Sequence, residues 1–428
     1  MTMRHLQLSI CVAALLVAAC SKDKSVETPA KLTPLTATLR VSKVWTANVG
    51  YKKEAPLRLS LGLSVADGRV FAAGHRGDVV ALDLARGHVV WRAGTKAPLS
   101  GGTAVGDGLV LIGSSDGRLF AFDEATGKSR WVVRVNGEVL APAAISERLI
   151  ALRTVDGKLH GLSPADGHEL WSQEQQVPRL SLRGTARPVI AGDQVLSGFD
   201  NGKVMALNVN DGAVQWEANI TPAHGRTELE RLNDIDTTVR VSGADVYTVG
   251  FQGKVTMLAL DTGQVWWSHE ASSYRSLTLD DDTLYMVAAS GEVVAMRAKT
   301  GAELWRQKVL LNRGLSAPAT MDDLDAIVVA DFQGYVHWLD KSTGALAARA
   351  SSGKVRVSTT PVVEGDRVLV INDRGQITAF RVAPLRGARH RAAPYKATTA
   401  PAPPDATAAP AAPAAPTAPA APAPQESK

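Results

Sequence analysis

The sequence of 428 residues predicts an all-β fold: an eight-bladed β-propeller of four-stranded antiparallel blades, its ring closed by a strand from the N-terminus. Three observations predict it. A unit of two glycine turns, followed in six copies by a tryptophan, repeats seven times in fixed register. An eighth copy stops one strand short. A segment near the N-terminus matches the strand that copy lacks.

One copy shows the logic. Gly113-Ser-Ser-Asp-Gly117 is followed by Arg118–Asp123, then Thr126-Gly127, then a last strand carrying Trp131. Asp-Gly pairs suit tight hairpins because such turns need positive φ. The first-turn glycines are Gly77, Gly117, Gly157, Gly202, Gly253, Gly291 and Gly334. Ten residues on come Gly87, Gly127, Gly167, Gly212, Gly263, Gly301 and Gly344. Four further on are Trp91, Trp131, Trp171, Trp216, Trp267 and Trp305, with Ala348 in the seventh place. Two short strands precede each first turn, as in Thr103–Val105 and Leu109–Ile112. Four strands in about 40 residues is the size of a propeller blade.

The eighth copy starts at Asp373-Arg374-Gly375 and ends after Gln-Ile-Thr-Ala-Phe380. Lys43-Val44-Trp45-Thr46-Ala47 matches strands such as Glu303-Leu304-Trp305-Arg306-Gln307. It therefore supplies the outer strand of the last blade and removes the open edge a radial fold cannot tolerate. The Leu-x-x-Leu-x-Leu pattern of leucine-rich repeats is absent, and so are Gly-His and Trp-Asp blade signatures at the repeating positions.

Four regions follow. Residues 1–19 read as a lipoprotein signal peptide: Arg4 and His5, then the apolar run Leu6–Ala19, too short for a span of roughly 20 residues. Residues 20–40 are a polar tether, 41–382 the propeller, and 383–428 a tail rich in Ala and Pro that cannot bury enough surface to order itself. The net charge of +5 resides in the ends: residues 20–380 balance to no net charge. The alkaline pI thus gives no basic face for nucleic acid, and no nucleic-acid partner is expected.

Catalytic chemistry finds little footing. The cysteines are Cys11 and Cys20 alone, which leaves no disulfide or Cys-ligated metal in the body. The histidines lack metal spacing, and there is no Gly-x-Ser-x-Gly elbow. Asp280-Asp281-Asp282 and Asp322-Asp323 fall in strand-to-strand turns and read as solvated; neither alternates ligands around a glycine as a Ca²⁺ loop does. Thr126-Gly127-Lys128-Ser129 lacks the upstream glycine of a phosphate loop, since position 122 is Phe. No metal and no cofactor is expected.

The segment Ala121-Phe-Asp123-Glu-Ala-Thr126-Gly127-Lys-Ser-Arg-Trp131 resembles the Ala-x-Asp-x-x-Thr-Gly-x-x-x-Trp motif of PQQ-type propellers. That resemblance implies that Trp45, Trp91, Trp131, Trp171, Trp216, Trp267 and Trp305 dock between blades. The motif occurs in quinone-dependent dehydrogenases and in the BamB family of outer-membrane assembly lipoproteins. The dehydrogenases commonly carry an adjacent Cys-Cys pair and Ca²⁺ carboxylates, which are missing here. The BamB resemblance spans 41–382 and includes segments outside the repeat, Leu180-Ser-Leu182-Arg183-Gly184 and Thr227–Thr238, and Asp331-Phe-Gln-Gly334-Tyr335-Val-His337-Trp338 in blade seven. Val17-Ala18-Ala19-Cys20 resembles a lipobox, which implies lipidation of Cys20 and, with Ser21 following, sorting to the periplasmic face of the outer membrane. A quinone-dependent oxidoreductase, or a periplasmic lipoprotein binding a small ligand in its channel, is the alternative.

Spacing also marks a site. Intervals between first turns are 40, 40, 45, 51, 38, 43 and 41 residues, so the linkers before blades four and five are stretched. Long loops on a rigid scaffold commonly carry recognition. Leu180 and Leu182, two apart, would point to one side, with Arg183, Asp234 and Asp236 adding charge: hot-spot composition for a protein partner. The family resemblance implies that these five residues dock on the POTRA domains of BamA, beside other subunits of the assembly machinery, and that nascent outer-membrane β-barrel proteins are the clients.

Overall fold

A computed structural model describes residues 28–50, 61–178, 180, 186–222, 226–227, 234–235 and 237–385. All lie in the first of two units, Met1–Pro394; the second, Tyr395–Lys428, falls outside the described residues. So do the signal segment, Cys20 and the Pro/Ala run.

The described chain forms eight four-stranded antiparallel sheets. Blade 1 is typical, with Ser64–Ala66 innermost, then Arg69–Ala73, Asp78–Asp83 and Val89–Gly94 outermost. Blade 8 is made of Val362–Glu364, Arg367–Ile371, Gln376–Pro384 and, outermost, Leu39–Asn48. Trp45 pairs opposite Ala379 in that last sheet, so the N-terminal strand closes the ring as its sequence match implies.

The core lies between blades. The third strand of a blade is buried on both faces, as in Arg118–Asp123, while the outermost strand buries chiefly its tryptophan. Each of the eight joints has its own apolar cluster; the joint between blades 8 and 1 combines Trp45, Leu369 and Ile371 with Val70, Val80 and Leu82.

Seven joints share one contact. The indole Nε1–H of Trp45, Trp91, Trp131, Trp171, Trp216, Trp267 and Trp305 donates to a backbone carbonyl of the next blade, at 2.7–3.0 Å. Each acceptor, from Leu84 to Lys341, lies three residues before that blade's second-turn glycine. The ring then covers the glycine. A Cβ at Gly87, Gly127, Gly263 or Gly344 would lie 2.5 Å from an indole carbon. These glycines also have φ of 68–72°, so no other residue meets both demands.

This explains the missing tryptophan at Ala348. Blade 8 has no hairpin between its third and outermost strands, because the latter comes from the other end of the chain. The carbonyl at the acceptor position belongs to Val382, which is paired within the sheet opposite Val41. An indole at 348 would have neither a turn to cover nor a loop carbonyl to bond. Ala348 instead packs with Trp338, Phe380 and Leu39.

Two sequence expectations change. In blade 5 the positive φ falls on Gln252, at 48°, and Gly253 opens the third strand, where a Cβ would collide with Thr221. The acidic turns are also not wholly solvated. Asp280 and Asp322 both hold Lys341 Nζ, at 2.5 and 2.7 Å. Burial pulls the Lys341 pKa down, but hydrogen bonds to the two carboxylates outweigh it and hold the group above its ordinary value.

Trp305→Ala should destabilise the fold by about 3–5 kcal/mol. Gly344→Ala should act on the same contact, so the double variant should lose clearly less than the sum. Ala348→Trp should give no gain. Urea titrations of the four proteins check this; additive losses would show that the two groups do not work as one contact.

Candidate partner-binding face

In each blade the chain leaving the outermost strand returns to the first turn. Thr95 N–H donates to Gly77 O, Val135 to Gly117, Gln175 to Gly157 and Ile220 to Gly202, at 2.8–3.0 Å. First turns and inter-blade linkers therefore share one face of the ring. On it stand the two stretched linkers, 175–188 between blades 3 and 4 and 220–239 between blades 4 and 5.

Both rest on a fixed platform. Ile220 and Thr221 N–H share the Gly202 carbonyl, Ile235 N–H donates to Phe199 O, and Phe251 N–H donates to Asp234 O. Ile235 is fully buried among Leu196, Val204 and Val246. Thr237 Oγ1 donates to Val249 O at 2.6 Å. Between blades 3 and 4, Arg153 of blade 3 pairs with Asp200 in the first turn of blade 4, both buried, and the guanidinium lies 5.2 Å from the Phe199 ring centroid. The described ends of the second linker are thus pinned, and Gln175 fixes the start of the first.

Leu180 is 41% exposed. Asp234 differs from its expected role. It is only 1% exposed, and its carbonyl holds the blade-5 turn, so it sets the loop's path rather than offering a surface charge. Leu182, Arg183 and Asp236 lie outside the described residues.

Two features of this face escape the repeat spacing. The linker 49–63, joining blade 8 to blade 1, is also long, but it precedes the first repeat and no interval measures it. The second is a strap. Residues read as a loose tether run instead along blades 6 and 7: Ala30 N–H donates to Leu311 O, Arg313 Nη1 to Ala30 O, Arg349 Nη1 to Thr33 O, and Thr38 N–H to Ala347 O. Leu32 packs against the Trp305 cluster.

Arg313 can hold the strap because it is itself held. Its Nε donates to Asp331 Oδ2 at 2.8 Å and its Nη2 to Gln333 Oε1 at 2.6 Å. Asp331 Oδ2 also lies 3.1 Å from His337 Nε2, and Asp331 and His337 are completely buried. Burial would raise the Asp331 pKa, but His337, the Tyr335 N–H and Arg313 outweigh it and hold the carboxyl below its usual range. Burial lowers the His337 pKa, offset only in part by Asp331.

Among the described residues no cluster of three or more His, Cys, Asp or Glu could hold a metal, and no helix is long and apolar enough to cross a membrane. What the face offers is a ring of eight sheets from which two long linkers depart.

The architecture defines the class: an eight-bladed propeller of the PQQ-repeat type. Two alcohol dehydrogenases mark how widely that fold is used; the quinohemoprotein enzyme of Comamonas testosteroni superposes with a TM-score of 0.62 at 12% identity, over 80% of this chain and 76% of its own, a likeness of fold alone, as does that of Pseudomonas putida HK5 at 0.65 and 12%, over the same shares. The family is narrower. The model for outer membrane protein assembly factor BamB matches residues 40–99, 75–307 and 289–387. The BamB proteins of Kangiella koreensis and Pseudomonas aeruginosa are 40% and 42% identical over 86% of this chain, and over 94% and 97% of their own lengths. The crystal structure of BamB from Moraxella catarrhalis gives a TM-score of 0.73 at 29% identity, over 80% of this chain and all of the other. The chain belongs to the BamB family.

The buried triad predicts a pH response. The folded chain binds fewer protons at His337 than the unfolded chain, so its contribution is full above about pH 6.5 and fades as pH falls toward the lowered folded value. Asp331 adds a second loss below about pH 3.9. Urea midpoints at about pH 7 and about pH 5 should differ, and His337→Gln should shrink the difference. Asp331→Asn should cost about 3–5 kcal/mol at neutral pH by stranding Arg313. A pH difference untouched by His337→Gln would contradict the assignment.

Proposed function

We propose that this chain is a non-catalytic, lipid-anchored scaffold of the outer-membrane β-barrel assembly machinery, bound through its linker face to the POTRA domains of BamA. The carrying observation is the pair of long linkers whose described ends stand on one face of the ring, in a chain of a family whose members are named outer membrane protein assembly factors.

In this reading Leu180 and Leu182 are the apolar anchors, Arg183 and Asp236 the charged contacts around them, and Asp234 a positioning residue. An apolar centre with a charged rim supports tight, specific docking. Residues 1–19 are removed, Cys20 carries the acyl chains at the periplasmic face of the outer membrane, and the region from 383 onward is a spacer. Several chains give a stable anchor where one is marginal. Nascent outer-membrane strands are guided by pairing with blade edges. The outermost strands support this with exposed Val89, Val90, Leu170, Val265 and Trp266 beside unpaired backbone.

The combined substitutions Arg183→Glu and Asp236→Arg should abolish co-purification with BamA while the urea midpoint stays put. Undiminished co-purification would sink the site. Cys20→Ser should move the protein from membranes to the soluble periplasmic fraction; retention in the membrane fraction would defeat the anchor.

A further inference from the structure

The propeller axis opens on the linker face into a cavity of about 570 Å³, within the range of small-molecule sites. Blades 4, 5 and 6 each send one arginine into its wall: Arg187, Arg240 and Arg275. The rest of the lining is apolar or hydroxyl-bearing, including Thr320, Thr359 and Thr360, and no carboxylate lines it among the described residues.

Three guanidiniums around one small space repel one another. A fold keeps such groups where they are neutralised or where they act. Here neutralisation is slight. Arg240 Nε donates to the Leu277 carbonyl at 3.0 Å, and Arg275 Nη1 to the Ser358 carbonyl at 3.2 Å. These are neutral acceptors. Arg275 also stands 5.2 Å from the Tyr274 ring centroid, and its buried Nε has no partner. Arg187 makes no hydrogen bond or ion pair among the described residues, although it is exposed to the cavity. Asp373, which does not line the cavity, attracts Arg275 and Arg356 and accepts from Ser358 Oγ at 2.9 Å.

The electrostatics agree with the geometry. Enclosure by protein lowers all three guanidinium pKa values, and at Arg240 the charge of Arg187 lowers it further. Arginine nonetheless stays charged. The cavity thus holds fixed positive charge in a concave, partly dehydrated place, where fork-shaped donors bind oxygen anions in pairs of hydrogen bonds.

We propose that this mouth of the channel is a binding site for a small polyvalent oxyanion, held by Arg187, Arg240 and Arg275. A single monovalent ion would leave two of three charges uncompensated; a phosphate-type or polycarboxylate group can engage more than one fork at once. None of the three arginines is among the residues assigned to BamA contact, so either proposal can fail without the other.

Isothermal titration of the full chain with pyrophosphate and with citrate tests it, against sodium chloride at matched ionic strength. One saturable site is expected for either anion and none for chloride. Arg187→Gln with Arg240→Gln should weaken binding at least roughly tenfold, and the melting temperature should hold or rise as repulsion is relieved. Arg187→Gln alone, which removes no hydrogen bond, should weaken binding even if the double variant fails to fold. Heat that does not saturate, or that survives Arg187→Gln unchanged, would overturn the site. Saturation by pyrophosphate without citrate would narrow the class to phosphate-type anions, and the reverse to polycarboxylates.

Discussion

Seven of the eight joints in this ring depend on an indole of one blade lying flat on the second-turn glycine of the next, its N–H bonded to a carbonyl three residues upstream. The contact sets the distance and tilt between neighbours at once, since the ring fixes the gap and the hydrogen bond fixes the angle. It also fixes sequence spacing. A blade may vary its inner strands, but the steps from glycine turn to tryptophan must remain, or the indole misses its seat. Ring closure follows from the same constraint. The N-terminal strand brings Trp45 to blade 1, and blade 7 ends on Ala348 because blade 8 has no turn to receive a ring.

A frame this repetitive leaves function to its irregular parts. Strands and turns are committed to the joints, so variation collects in the linkers, which all emerge on one face. Ile235, Thr237 and the Gly202 carbonyl pin the described ends of the linker between blades 4 and 5. The axial arginines stand on that face as well. The opposite face, built from the short turns within blades, has no comparable insertions among the described residues.

The repeat was legible in the sequence because glycines with positive φ and large aromatic residues have few substitutes. Blade number, strand order and the borrowed strand all followed from their positions. The linkers were legible as stretched intervals, but only where a repeat flanked them on both sides; 49–63 therefore escaped. Burial within a linker was not legible. Asp234 reads as a surface charge beside Asp236, yet its backbone lies beneath the blade-5 turn, and only the fold shows that. Arg187, Arg240 and Arg275 were equally hidden. They stand at different distances from their turn glycines, and only the ring's curvature brings three blades' residues to one cavity. Lys341 is similar: its aspartates come from two different blades.

The strap alters the meaning of the N-terminal leash. Counted from the first strand, an anchor at Cys20 would trail some nineteen residues and reach about 65 Å. With Ala30 bonded to Leu311 and to Arg313, the span from such an anchor to this contact is ten residues and the reach would fall to about 35 Å. Were Cys20 lipidated, the volume the propeller could sweep beside a membrane would shrink roughly sixfold, and its local concentration there would rise by the same factor. Because the strap meets the linker between blades 6 and 7, an anchor at Cys20 would also hold the ring from one side of its rim. A buried Arg–Asp–His triad in blade 7 would then serve as the fixed end of a mooring line, limiting how far the binding face can turn from the bilayer.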